Sequence, residues 1–457
     1  MNNVFFNNKL IYSLFFITYN LICFIIYYLG LGEGYVDNIY LKLCEFLYVI
    51  NFILSFFLLR IYRIDLFSPQ GLFLISFSIF TLGRVFLSLF DLYHNYYELI
   101  WGELFYFKSD DYFLSFLFWQ ISLSSFLYGS VLFSSLKTFN FSNRYYNVYK
   151  FINLFCILVL LLIFYPISFD LISIFFKYGY EGLYTGQINY DFGYTRIASL
   201  LLPIMIASSV VLNNKKIIYI SLFVLGLYIL INLLVGQRAL LFMWVLILLW
   251  LYSVIHGKTL PVFRIVLLGT VLIFFAQFLE SFRGGRDDFL QDNPLIKFIY
   301  VQSLTYTLPS IVINNFGTSW PILTYITMFI PIAGLSSILG LVNGTHNFSS
   351  GSFFAYSLNK NLFEEGYGLG WSIFLDLLIL GNMNYFILSI FSFILGVFYC
   401  FLIEKAKNNI IYFYVLIASL PAFMFGPRSL LYSISSSIIY SLIVFFLFLF
   451  LFYKKRM

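Results

Sequence analysis

Charge is scarce in this chain. Lysine, arginine, aspartate and glutamate make up 10% of its 457 residues, against 61% hydrophobic residues. A soluble domain carries about 25% charged residues, so a soluble globular protein is excluded. Cysteine is scarce as well: Cys23, Cys44, Cys156 and Cys400 all fall in separate apolar runs. Thiols so placed build neither a disulfide framework nor a metal cluster. Histidine occurs three times. A Walker loop, an H-E-x-x-H pair and a repeated acidic metal motif are all lacking, which removes the enzyme classes built on those motifs. The short alternating strands of an outer-membrane barrel are lacking too.

What is present is a succession of runs of about 20 apolar residues, each long enough to cross a bilayer. They lie near 9–29, 40–59, 70–90, 112–134, 149–168, 195–212, 217–235, 239–256, 263–282, 384–403, 410–426 and 429–452. No A-x-A-like cleavage site follows the first run, which therefore reads as a retained span. The stretch 368–381 is apolar but short. The positive-inside rule decides its status. With twelve spans and a cytoplasmic N-terminus, Lys405, Lys407 and the "KKR" tail at 454–456 face the cytoplasm with most other lysines. A thirteenth crossing would turn them outward. The segment 368–381 is therefore expected as a re-entrant or interfacial helix, which hints at a site, because irregular backbone at membrane depth is tolerated only inside protein or beside water.

The expected fold class is an all-α polytopic membrane protein of about twelve transmembrane helices with both termini cytoplasmic. Residues 1–282 carry spans one to nine and an outer loop at 169–194. Residues 283–383 form one large outer, periplasmic loop with the re-entrant segment, and 384–457 carry spans ten to twelve. Apolar stretches such as "FIYVQSLTYTLPSIVI" at 298–313 suggest short helices lying on the membrane. Loops this long are often functional.

Two short matching stretches stand out, "GQRALLF" at 236–242 and "GPRSLLY" at 426–432. Each sits at the outer start of a span and places an arginine in what reads as the first helical turn, where the helix dipole disfavours a cation. Arg196, Arg283 and Arg286 also fall at outer span ends, and Arg84 lies within span three, with Asp91 as its nearest candidate partner in sequence. Six of the eleven outer basic residues are arginine, whereas inside lysine outnumbers arginine two to one. Arginine offers a planar fork for phosphate, and a helix N-terminus offers N–H groups to an anion. Arg238 and Arg428 combine both, which suggests that the cation and the helix end share an anionic ligand. A lone arginine at a span end is also an ordinary snorkelling anchor, and Arg283 is spaced to pair with Glu280.

Among the histidines, His256 reads as structural, and His94 lies among tyrosines where it suits a sugar site. His346 sits in the polar, Gly-punctuated stretch "NGTHNFSSGSFFAYSLNKNLFEEGYGLGWSIFLD" at 343–376. A neutral imidazole accepts a proton from a hydroxyl near neutral pH; an ordinary loop hydrogen bond is the competing reading. Tyr184, Tyr190, Tyr194 and Trp320 are candidates for stacking on sugars, although membrane interfaces are equally rich in aromatics.

The "THN … E-G-x-G-x-G" stretch, the late outer loop and the outward arginines together resemble the bacterial O-antigen polymerases, relatives in general plan of the O-antigen ligases. The resemblance spans the chain in topology and two or three short patches in motif. It implies a glycosyltransferase that joins a growing chain to the next undecaprenyl-diphosphate-linked oligosaccharide on the periplasmic face of the bacterial inner membrane. His346-Asn347 matches the "HN" of the ligases' functional loop. The arginines Arg196, Arg238, Arg283, Arg286 and Arg428 fit the family habit at the outer face. "GWSIFLD" at 370–376 departs from the acidic pattern of relatives, so Asp376 is an approximate counterpart. On this reading His346 activates the acceptor hydroxyl. Arg238, Arg428 and Arg283 hold diphosphate, Arg196, Arg286 and Arg84 assist, and Asn347, Asp376 and Tyr194 support the site. Preplaced arginines stabilise a leaving diphosphate without a metal, so no cofactor is expected. Membrane lipid and a chain-length regulator are candidate partners; nucleic acid is not. An O-antigen ligase needs the same diphosphate site. A flippase would need cations along the middle of several spans, and only Arg84 is so placed.

Overall fold

The computed structural model describes residues 2–31, 38–92, 97–100, 103–106, 109–135, 138–141, 146–178, 192–234, 238–256, 294–317, 319–331, 345–364 and 370–453. They are helical but for one short antiparallel hairpin, Tyr97–Ile100 with Glu103–Tyr106. Among the described residues, eight helices are long and apolar enough to cross a membrane: Lys9–Gly30, Ile39–Ile61, Pro69–Leu89, Asp110–Leu132, Tyr146–Phe164, Lys215–Leu233, Tyr385–Ala406 and Leu431–Phe448. Ile197–Leu212, Leu240–His256 and Ile410–Met424 are apolar but shorter. The expected span at 263–282 lies outside the described residues. All four cysteines are buried, and none forms a disulfide.

The chain divides into two compact units. The first combines residues 1–136, 292–401 and 422–435. Its core is aromatic. Phe73 and Phe77, from the helix Pro69–Leu89, meet Trp119 and Phe126 of the helix Ser109–Leu132, with Phe73 and Phe126 ring centroids 4.2 Å apart. Phe374 reaches all four rings from a short helix, Ile373–Leu380. Lipid tails give little hydrophobic drive between spans, so close packing and hydrogen bonds do that work. The contact between Ser109–Leu132 and Tyr385–Ala406 shows both. Ser125 and Ser389 share a hydrogen bond of 2.8 Å. A Cβ at Gly396 would lie 2.1 Å from the Phe126 carbonyl oxygen, and one at Gly129 would lie 2.4 Å from that of Phe393. Gly396→Ala is therefore expected to push the two helices apart and cost about 1–3 kcal/mol. A thermal midpoint equal to that of the unmodified protein would refute this seam.

The helix Pro69–Leu89 starts at Ser68, whose hydroxyl accepts from Gly71 N at 3.2 Å, with Pro69 at the first helical position. It widens into a π-helical turn over Ser78–Leu82, a feature frequent at functional sites. The Thr305 hydroxyl donates to the Phe80 carbonyl at 2.8 Å. At Gly83 a Cβ would come within 2.8 Å of Ile299, so glycine lets the helix Pro294–Gln302 approach closely.

The stretch 298–313, expected to lie on the membrane, instead enters the core of this unit. Ser303 and residues 305–312 are buried, and Trp119 donates to the Tyr306 carbonyl at 3.0 Å. The run is apolar around most of its surface, so burial inside protein satisfies more of it than a one-sided interface would. In 368–381 the helix covers Ile373–Leu380, eight residues and about 12 Å, too short to span a bilayer. Its first seven residues are buried all round.

The second unit holds 137–291, 402–421 and 436–457. Asn153 ties three of its helices together: its amide donates to Met205 O at 2.7 Å, to Ser208 Oγ at 3.0 Å and to Ser221 Oγ at 3.4 Å.

Candidate functional site

Arg428 is the most informative of the expected arginines. It does not lie in the first turn of a span. Gly426–Arg428 form a 3-10 turn, Ser429 is extended, and the helix begins at Leu431. Pro427 explains the break, because proline restricts the residue before it and cannot donate within a continuing helix. The guanidinium lies 5.6 Å from the Phe80 ring centroid, and Nη1 donates to Gln302 Oε1 at 2.9 Å. Its stem rests on Gly370: a Cβ there would sit 3.3 Å from Arg428 Cγ and Nε, and Gly370 has φ of +77°, where a side chain would be strained. Burial lowers the Arg428 pKa from its ordinary value. Among the described residues no carboxylate lies within ion-pairing distance of this cation. An aromatic face and a neutral amide hold the charge without neutralising it, and a half-buried guanidinium in that state favours an anion.

The helix N-terminus beside Arg428 is already occupied. Leu431 N donates to Asp376 Oδ2 at 2.7 Å. Asp376 Oδ1 accepts from Trp371 Nε1 at 2.7 Å and from the Ser350 hydroxyl. The anion at this helix end is the protein's own carboxylate, which corrects the expectation that an external ligand is shared with the helix terminus. Burial pushes the Asp376 pKa from 3.8 up to about 6, outweighing three hydrogen bonds that act the other way. A carboxyl with a raised folded-state pKa binds its proton more tightly when folded. Its stabilising contribution is complete below about pH 4 and is lost as pH rises through about 6. The loss amounts to about 3 kcal/mol. The thermal midpoint of Asp376→Asn should accordingly vary less between pH 4 and pH 7 than that of the unmodified protein; equal slopes would contradict the assignment.

His346 belongs to a 3-10 turn, Thr345–Phe348. The turn is pinned by the Thr327 hydroxyl, which donates to Phe348 O at 2.5 Å, and by Thr324, which donates to Asn347 O at 3.4 Å. The imidazole stacks on Tyr356 with centroids 3.8 Å apart and planes 6° from parallel. Lys360 Nζ lies 5.9 Å from the same tyrosine ring. His346 is half-exposed, and among the described residues its ring nitrogens have no hydrogen-bond partner. The stack fixes the ring plane while the nitrogens stay available.

Arg84 is buried, with its guanidinium 4.0 Å from the Tyr300 centroid and Nε donating to Tyr300 O at 3.3 Å. Asp91, its expected partner, pairs with Lys42 at 2.9 Å. The helix ends at Leu89, which takes Asp91 off the face that carries Arg84. Trp320 is 8% exposed and packs against Phe316, Phe353 and Trp371, so it is a core residue and not a sugar platform.

The first unit thus contains Arg428, Asp376, His346, Asn347 and Arg84. Arg238 is the first residue of the helix Arg238–His256, as the sequence suggested, and Arg196 and Tyr194 lie in the first turns of Phe192–Leu212. All three fall in the second unit, and their side chains are outside the described set. Arg283, Arg286, His94, Tyr184 and Tyr190 lie outside the described residues. Gln302, Phe80, Gly370, Ser350 and Trp371 escaped the sequence reading. Only the glycine run at 366–370 carried a local signal. Among the described residues no group of three or more His, Cys, Asp or Glu side chains is placed to hold a metal ion.

A profile of the O-antigen polysaccharide polymerase Wzy family matches residues 10–457. The chain belongs to this family. It is a polytopic membrane protein of the glycosyltransferase type, and in broad terms it is an O-antigen polymerase acting on lipid-linked oligosaccharide repeat units. No curated protein and no solved structure shows detectable similarity to it.

Proposed function

We propose that this polymerase transfers glycan from undecaprenyl diphosphate at the periplasmic face of the inner membrane, with Arg428 on the diphosphate and His346 on the acceptor hydroxyl. The observation that carries the reading is the Arg428 cation, held by Phe80 and Gln302 with no carboxylate in reach among the described residues. The acceptor oxygen forms a bond to the anomeric carbon as the bond from that carbon to the diphosphate oxygen breaks. The electron pair leaves with undecaprenyl diphosphate, and His346 takes the hydroxyl proton. The diphosphate is already anionic in the bound repeat unit and gains charge as it leaves, so a preplaced guanidinium both binds the substrate and stabilises the transition state. No step in this scheme requires a metal. Within the first unit, Arg84 is proposed to assist with the diphosphate and Asn347 to line the site.

Proteoliposomes loaded with undecaprenyl-diphosphate-linked repeat units test the scheme. One undecaprenyl diphosphate should be released per linkage formed, EDTA should not slow the reaction, and substrate confined to the periplasmic side should suffice. Polymer formed without diphosphate release, or only from the cytoplasmic side, would sink the proposal. The O-antigen ligase alternative predicts transfer of finished polymer to lipid A–core and no elongation. The flippase alternative predicts transbilayer movement and no new linkage.

A further inference from the structure

Asp376 makes more hydrogen bonds than a helix cap needs, and they reach the segments that carry Arg428 and His346. Oδ2 accepts from Leu431 N, three residues beyond Arg428. Oδ1 accepts from Ser350, four residues beyond His346, and from Trp371, which follows the Gly370 that supports the Arg428 stem. The same three segments interlock around it. A Cβ at Gly351 would lie 3.1 Å from Trp371 and 3.3 Å from Leu430, and Ser372 Oγ donates to Gly426 O at 3.4 Å. The carboxylate is buried among donors with no cation in salt-bridge range among the described residues, so its charge is held by hydrogen bonds and the positive end of the helix Leu431–Tyr453. A buried charge so held is costly to displace, which makes it a rigid fixture.

We infer that Asp376 is a positioning residue with divided duties: Oδ1 sets the His346 segment and Oδ2 sets the Arg428 turn. The inference rests on the roles given above to His346 and Arg428. It separates two substitutions. Ser350→Ala releases only the His346 segment. Asp376→Asn keeps an oxygen toward the two donors Ser350 and Trp371, because an amide NH2 cannot accept from the indole N–H. It therefore turns its NH2 toward Leu431 N, and the Arg428 turn is repelled.

The test is steady-state polymerisation by the full-length chain in proteoliposomes, with rates expressed per folded molecule. Ser350→Ala is expected to lower kcat at least fivefold and to hold KM for the lipid-linked repeat within twofold. Asp376→Asn is expected to raise KM at least fivefold. A merely structural role would reduce the folded yield and leave both constants unchanged. Unmodified kinetics in both variants, an unchanged KM in Asp376→Asn, or a KM raised more than twofold in Ser350→Ala, overturns the inference. Parallel His346→Ala and Arg428→Ala proteins separate the two levels. If those leave kcat and KM untouched, the assignment of the site itself falls. If they respond while Ser350→Ala and Asp376→Asn do not, only the positioning role falls.

Discussion

Arg428→Ala is expected to lower kcat/KM for polymerisation by a factor of about 10²–10³, the loss typical of removing one preorganised donor from developing negative charge. The side chain meets the conditions for an effect of that size. It is held in place by Gln302 and Phe80 and pressed against Gly370, so little reorganisation is needed when charge arrives. Burial disfavours the isolated cation, so an arriving anion relieves a cost already present. Arg428→Lys keeps the charge but loses the planar fork and its stacking, and should recover only part of the activity. In cells the alanine variant should leave single repeat units on lipid A–core; in vitro its initial rate should fall as stated. A rate within threefold of the unmodified enzyme would remove Arg428 from the site.

His346→Ala should reduce kcat by about 10²–10⁴, the range for a positioned general base, with a much smaller change in KM. The imidazole is suited to this work because its plane is fixed by Tyr356 at 3.8 Å while its nitrogens are not engaged among the described residues. Tyr356→Ala should give a weaker loss of the same kind, through a ring that no longer holds its orientation. A kcat unchanged by His346→Ala would reject the assignment.

Much of the architecture is legible in the sequence because transmembrane helices are read from composition along a single run of chain. The runs near 40–59, 70–90 and 384–403 correspond to helices long enough to cross a membrane. The low charge content and the separated cysteines point the same way. The site is legible only in fragments. "GPRSLLY" announces an arginine at a turn, and "THN" announces a histidine in a polar loop. Neither shows that Arg428 precedes the helix instead of opening it, since that depends on how Pro427 breaks the turn. Asp376 enters only as the counterpart that the family resemblance implies, and its work as the cap of a helix 55 positions later in the chain is not readable from the sequence. Gln302 and Phe80 meet Arg428 across separations of 126 and 348 positions. No periodicity along the chain encodes a contact of that kind. The same limit explains 298–313: its hydrophobicity shows that it needs covering, but whether protein or lipid covers it depends on where Trp119 and Gly83 stand.

The central claim is that Arg428 holds the diphosphate of a lipid-linked repeat unit. The most direct test is equilibrium binding of undecaprenyl diphosphate to the full-length protein in lipid nanodiscs, comparing the unmodified chain with Arg428→Ala and Arg428→Lys. The account predicts a Kd at least tenfold weaker for the alanine variant, an intermediate value for lysine, and affinity that falls with added salt. Equal Kd values for the unmodified protein and Arg428→Ala would contradict it.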